Sequence, residues 1–323
     1  MRASLSHEEG KEDHQSLASE GPLDVEATHG SVEPDEAQDG VSLEVLDDIH
    51  NSNNNNANNV QQKRQRRYEC LICWIYFALC FIIIYAIPWH VHERPLPVQV
   101  FALDNDQRLV VRSAEHNQPL RGETVSDTAL VLLCGLAPFV LQMWWCGCGN
   151  NSTLDRHATL CAYVLANATR TLATDALKLY CGYLRPVFFA ICALNDAAYT
   201  AGTATDLQCT TTDTSELTDA RKSFPSGHAS QAWVGMMLLS LYLQRRWRVY
   251  DSCRPSDNNH PAHQQWNQTT RSLAALLPLV LAVWVSASRI YDNRHFPADV
   301  AVGTLLGGGI ALYFHAVCFG RVK

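Results

Sequence analysis

The sequence predicts an all-α membrane protein, with six helices crossing the bilayer and packing as a bundle. Three observations predict it. Six apolar segments follow one another through the later part of the chain, each near the roughly 20 residues a helix needs to span hydrocarbon. Uninterrupted stretches such as Leu79-Cys80-Phe81-Ile82-Ile83-Ile84-Tyr85-Ala86-Ile87 are rare in a soluble bundle. Basic residues collect beside the segment ends that would then face the cytoplasm.

The mean hydropathy of −0.11 hides this pattern because it averages two unlike parts. Residues 1–67 read as a disordered, acidic, Asn-rich cytoplasmic tail, and 68–323 as the membrane domain. The tail holds Glu8, Glu9, Glu12, Asp13, Glu33, Asp35, Glu36, Asp47 and Asp48, with almost no aromatics, and ends in an Asn-rich run from Asn51 to Asn59. Such a segment cannot bury enough apolar surface to offset its ordering entropy. It carries much of the net charge of −7. An acidic tail with no broad basic face to offset it argues against a nucleic-acid partner.

The six segments are placed at Cys70–Trp89, Thr128–Cys146, Ala158–Leu177, Ala229–Leu243, Leu273–Ser288 and Ala298–Phe319. The first lies too far behind the tail to be a cleaved signal peptide. Lys63, Arg64, Arg66 and Arg67 precede it, which puts the N-terminus in the cytoplasm. Arg245, Arg246, Arg248 and Arg254 after the fourth segment, and Arg321 and Lys323 after the sixth, agree. The arginines of the first outward loop are diluted by acidic residues. The third segment carries a polar stripe of Asn167, Arg170, Thr171, Thr174, Asp175 and Lys178, which should face the bundle interior. Asp175, one turn before Lys178, could orient it, or the stripe could simply hold helices together.

The twelve cysteines are not spaced as a metal site; Cys70, Cys73 and Cys80 read as small apolar packing residues. Cys146 and Cys148 read the same way, with palmitoylation as the alternative. The glycosylation sequons at Asn151, Asn167 and Asn267 fall in predicted cytoplasmic loops or within a span, and none should be used.

Three clusters carry chemistry, and nearly all of their residues lie in 178–228 or 289–297, on the predicted non-cytoplasmic side. Lys178 and Arg185-Pro186 flank the end of the third segment. Ser223-Phe224-Pro225-Ser226-Gly227-His228 opens the fourth. Ser288-Arg289, His295 and Asp299 bridge the fifth and sixth. A phosphate dianion needs several fixed donors, and Lys178, Arg185 and Arg289 supply cations from separated parts of the chain. The helix start at Ser226 and Gly227 adds free backbone N–H groups and a positive dipole end. A neutral imidazole can attack phosphorus, and a second histidine can protonate the departing alkoxide. Asp299, four positions after His295, can reach back to fix its tautomer.

These clusters read Lys-x6-Arg-Pro, Pro-Ser-Gly-His and Ser-Arg-x5-His-x3-Asp. In this the chain resembles the type 2 phosphatidic acid phosphatases, or lipid phosphate phosphatases, of the histidine acid phosphatase and vanadium haloperoxidase superfamily, over roughly residues 68–319. The resemblance implies a six-helix core of that type and metal-independent hydrolysis with no cofactor. It implies His295 as nucleophile, Asp299 as its partner and His228 as leaving-group acid. Lys178, Arg185, Ser226, Gly227 and Arg289 would bind phosphate. Tyr183 and Phe296 depart from what many lipid phosphatases carry, an arginine and a second histidine, and could alter substrate preference. A bridge between Cys192 and Cys209 in the outer loop is implied as well.

The expected substrates are lipid phosphates such as phosphatidate, lysophosphatidate or a sphingoid-base phosphate, met in the membrane by a multi-pass protein. Both termini would be cytoplasmic and the active site lumenal or extracellular. A homo-oligomer is compatible with this reading. Alternatives are a lipid or isoprenoid pyrophosphate phosphatase, a headgroup transferase, or, in another class, a catalytically inactive lipid-binding relative. The inactive reading predicts a lost catalytic residue, and none is lost. A channel or transporter is disfavoured because the polar residues collect at one membrane face.

Overall fold

The computed structural model describes residues 39–87, 89–103, 108–146, 152–247 and 262–320. The chain divides into two compact units, Met1–Asn59 and Val60–Lys323. In the first, the described residues are helical, as the start of α1 (Asp39–Tyr85). The sequence reading expects no fixed structure up to residue 67. Helix forms there because no Gly or Pro interrupts Val41–Tyr85, and Gln61–Arg67 are strong helix formers. Extending an existing helix needs no new nucleus. The rest of the expected tail, residues 1–38, lies outside the described residues, as do Cys148, Asn151, Arg248, Arg254, Arg321 and Lys323.

In the second unit a hairpin, β1 (Val98–Ala102) and β2 (Arg108–Arg112), pairs antiparallel with Val98 opposite Arg112. With an isolated bridge between Leu194 and Cys209, it is the departure from an all-α chain among the described residues. The β-branched Val98, Val100, Val110 and Val111 form a short local strand signal, unlike the long apolar runs of the helices. Ser126 caps α2 (Asp127–Leu130), which continues through a π-helical turn, Val131–Leu136, into α3 (Ala137–Cys146). Then come α4 (Ser152–Cys181) and three short helices, α5 (Phe188–Cys192), α6 (Asp196–Thr200) and α7 (Thr214–Ala220). The chain ends in α8 (Gly227–Arg246), α9 (Ala262–Tyr291) and α10 (Pro297–Phe319).

All six segments read as spans are helical apart from the end of the first: α1 stops at Tyr85, short of the expected Trp89. Four stretches are long and apolar enough to cross a membrane: Asn54–Tyr85, Asp127–Cys146, Gln268–Tyr291 and Pro297–Phe319. The two that fall outside this group, α4 and α8, carry polar residues that bond to one another inside the bundle. Thr174 lies 3.2 Å from the Ser230 hydroxyl, and Gln231 donates to Asn167 at 3.1 Å. Gln142 donates to the buried Tyr163 hydroxyl at 2.7 Å. Large apolar side chains such as Trp74, Leu277, Val280, Leu305 and Tyr313 instead cover the outside.

Helix α8 is the central element, packed against α10, α9 and α4. Its Val234, Leu238 and Tyr242 share a buried apolar cluster with Ala162 and Ala166 of α4 and Ala311 of α10. Glycine sets the α8–α10 approach. A Cβ on Gly303 would lie 2.6 Å from the Ser226 carbonyl oxygen, so only glycine lets the two helix starts meet. Beyond these ends, 184–220 folds into a cap with its own core, including Leu184, Val187, Phe188, Phe189 and Ala220. The Cys192–Cys209 disulfide closes it, with the Cα atoms 4.7 Å apart, as the resemblance implied. Arg112 pairs with Asp196 at 2.7 Å and ties the hairpin to the cap. Cys146 is buried beside the Tyr242 hydroxyl at 3.2 Å, which fits packing.

Candidate active site

The close crossing of α8 and α10 decides where the three sequence clusters meet. Ser226 caps α8, its hydroxyl accepting from the Ala229 N–H, and its own N–H donates to the Asp299 carbonyl at 3.0 Å. The first turns of both helices are thereby tied together. Pro297 suits the first turn of α10 because it has no N–H to lose there. Asp299 follows in that turn, 1% exposed.

The Nδ1 of His295 lies 2.7 Å from the Ser223 carbonyl oxygen. A carbonyl can only accept, so Nδ1 carries the proton and Nε2 keeps its lone pair. The Asp299 carboxylate is 3.8 Å from Nδ1 and accepts from the Ser223 hydroxyl at 2.6 Å and the Phe296 N–H at 3.0 Å. The expected contact from Asp299 to His295 is therefore close but not a direct hydrogen bond, because the Ser223 carbonyl has taken the Nδ1 proton. His295 is buried, and burial pushes its titration down to about 4. Asp299 opposes that shift, and the Arg185 and Lys178 cations add to it.

Lys178 stands in the last turn of α4, and its Nζ reaches the start of α8: a Cβ on Gly227 would lie 3.1 Å from it. The Asp175 carboxylate acts on the same ammonium group. Arg185, in the loop after α4, pairs with Asp219 at 2.8 Å, and its N–H donates to the Ala220 carbonyl. Burial lowers its pKa from the ordinary arginine value, and Asp219 opposes this. Arg289, 1% exposed in the last turn of α9, donates to Asp292 at 2.9 Å. Asp292 is held in turn by the Thr124 hydroxyl and N–H. His228 lies in the first turn of α8 with Nε2 3.2 Å from the Val125 carbonyl and 3.6 Å from Asp127. Arg289, His295 and Lys178 all act on its ring.

All eight predicted residues thus converge where the ends of α4 and α9 meet the starts of α8 and α10. Sequence reasoning missed the supporting groups. Ser223 stood in the motif without a role, and Asp292, three residues after Arg289, could have been noticed from its spacing. Nothing in residue type marks the Ser223 and Val125 carbonyls. A cleft of about 380 Å³ also reaches the site, lined by Lys178, Asp175 and Lys222 and by Ile84, Tyr85 and Trp89 around the end of α1. It joins a cationic floor to an apolar wall.

The family described as the PAP2 superfamily matches residues 159–323. A protein named lipid phosphate phosphatase 2 from Arabidopsis thaliana is 27% identical over 201 residues, covering 62% of this chain and 64% of its own length. One named probable diacylglycerol pyrophosphate phosphatase 1 from Schizosaccharomyces pombe is 28% identical over 198 residues, 61% of this chain and 66% of its own. Phospholipid phosphatase 2 from Rattus norvegicus is 27% identical over 172 residues, 53% and 55%. The chain therefore spans between about half and two thirds of these relatives. No solved structure gives a significant match.

Proposed function

The chain belongs to the PAP2 superfamily, and from that premise we propose that it is a metal-independent lipid phosphate phosphatase acting through a phosphohistidine. The observation that carries this reading is the His295 ring. It is buried and neutral, its Nδ1 proton is committed to Ser223, and its Nε2 is free beside the Arg185 and Lys178 cations.

Lys178, Arg185 and Arg289, with the Ser226 hydroxyl and the Gly227 N–H, hold the phosphate oxygens; the Ser226 N–H, expected from the sequence to be free, is spent on the Asp299 carbonyl. Nε2 of His295 attacks phosphorus and the ester oxygen leaves. His228 must enter this step as the imidazolium: Val125 holds its Nε2–H, and the ring gives the ester oxygen its Nδ1 proton and is left neutral. Water then attacks the phosphohistidine, with His228 taking a proton from it, and phosphate departs. Asp299 stabilises the charge that the His295 ring gains.

The apolar wall of the cleft beside Lys178 favours a substrate with acyl chains. The apolar outer surface suits hydrocarbon. We assign α4 and α8 as spans too, making six, because their polar residues are satisfied inside the bundle. Both termini are then cytoplasmic, and the site opens to the lumenal or extracellular side. Residues 1–67 form a cytoplasmic extension and 68–323 the catalytic domain.

Purified protein assayed for phosphate release against phosphatidate, lysophosphatidate, sphingoid-base phosphate, diacylglycerol pyrophosphate and an isoprenoid pyrophosphate tests the reading. Release from a monoester supports it. Release from the pyrophosphates alone assigns the pyrophosphatase alternative, and no release from any assigns the inactive one.

A further inference from the structure

Far from the phosphate site, two pairs of metal-binding side chains face each other across α1 and α4. Cys70 and Cys73 stand one turn apart on α1, and His157 and Cys161 one turn apart on α4. One ligating atom from each of Cys70, His157 and Cys161 lies within 4.8 Å of the other two. Cys73 lines one cavity together with His157 and Cys161. Cys73 and Cys161 are buried, and Cys70 and His157 half-buried.

We propose that Cys70, Cys73, His157 and Cys161 form a structural zinc site that clamps α1 to α4. Tetrahedral zinc with sulfur at about 2.3 Å and nitrogen at about 2.0 Å needs its ligand atoms roughly 3.5 to 3.8 Å apart. Cys161 Sγ and His157 Nε2 are already 3.8 Å apart. The proposed site requires Cys70 and Cys73 to rotate their side chains to these separations. His157 Nδ1 lies 3.9 Å from the Glu69 carboxylate, the outer partner that orients a zinc-bound imidazole. The metal replaces the hydrogen bond that Nε2 makes to the Arg66 carbonyl at 3.0 Å. Binding releases three thiol protons and leaves a net charge of −1, beside Arg66, which lines the same cavity.

The site has no part in hydrolysis, since His157 and Lys178 are separated by about 30 Å of helix at about 1.5 Å per residue. Its effect is on α1. Cys73 and Cys80 are the only buried side chains described on that helix, and Tyr76 adds one hydrogen bond to Thr169 at 3.0 Å. Yet the end of α1 walls the cleft beside Lys178.

The full-length chain, reduced and in detergent, should hold one zinc after dialysis. Anaerobic Co²⁺ should give strong tetrahedral visible bands with a thiolate charge-transfer band. Cys161→Ser and His157→Gln should each weaken zinc by more than the roughly 10–100-fold that loss of an outer partner costs. Cys134→Ser, buried elsewhere in the bundle, should leave the affinity unchanged. In the unmutated chain, zinc should protect Cys70, Cys73 and Cys161 from maleimide, a readout that survives a variant's failure to fold. Octahedral cobalt, unchanged affinity in both variants, absence of that protection, or a Cys73–Cys161 disulfide in the isolated protein overturns the proposal.

Discussion

The Ser223 hydroxyl sits 2.6 Å from the Asp299 carboxylate while the Ser223 carbonyl accepts from His295 at 2.7 Å. One residue thus orients both the proposed nucleophile and the carboxylate behind it. Ser223→Ala keeps the carbonyl and loses only the hydroxyl. A hydrogen bond to a charged group is worth about 1.5–3 kcal/mol, so kcat should fall about 10- to 100-fold. KM should stay near wild type, and Asp299→Asn should cost more. Steady-state kinetics of both variants check this; an unaffected Ser223→Ala would mean that Asp299 needs no such support.

The pH dependence follows from the same ring. Its folded pKa of about 4 lies below the ordinary 6.5, so the nucleophile stays neutral as pH falls from 7 to about 5. It protonates only near pH 4. The acid limb of kcat/KM belonging to His295 should therefore lie near 4. Arg185 is one of the cations holding the value down, so Arg185→Gln should move that limb upward, towards 6.5. pH–rate profiles corrected for substrate ionisation decide this. A wild-type nucleophile limb at 6.5 would contradict the burial argument.

Hydrolysis should proceed without added magnesium and survive excess EDTA, because three cations already supply the electrostatic stabilisation. Among the described residues the one clustered set of metal ligands is Cys70, His157 and Cys161, at the other end of α4. Cys161→Ser should show the same EDTA resistance, which separates the proposed clamp from the chemistry. Strict dependence on magnesium would sink the histidine mechanism.

That the eight candidate residues would gather at one place was legible because side-chain chemistry at fixed spacing leaves a signature: a cation at a helix end, a cap before the central helix, a histidine before a proline start. The groups that aim them were not. The carbonyls of Ser223 and Val125 could belong to any residue, and their position depends on how closely α8 and α10 cross. Helices α4 and α8 were legible as helices, but whether they cross a membrane was not, since their polar residues lower the apolar signal while pairing inside. The Cys70-x2-Cys73 and His157-x3-Cys161 pairs look like packing residues when read along the chain. Only the pairing of α1 with α4 brings them together.

The six-span reading puts the cap on the non-cytoplasmic side. An engineered cysteine at Thr212, exposed just after the disulfide, should react with an impermeant maleimide added from that side. A tag at Met1 should stay protected until the membrane is permeabilised. Labelling of position 212 from the cytoplasmic face alone would invert the topology.

The last test separates the two histidines, which share the site and differ in what holds them. His295 has Nδ1 bound by Ser223 and Nε2 free, whereas His228 has Nε2 held by Val125. If His295 attacks phosphorus, His295→Ala should abolish turnover of every substrate, since no covalent intermediate can form. If His228 protonates the leaving oxygen, its loss should cost about 10²–10⁴-fold for a lipid alkoxide. It should cost far less for p-nitrophenolate, which departs without a proton. His228→Ala should therefore retain a much larger share of activity on p-nitrophenyl phosphate than on a lipid phosphate, provided the wild type accepts both. Equal losses would make His228 a phosphate-positioning residue. The reverse pattern would move the nucleophile from His295 to His228.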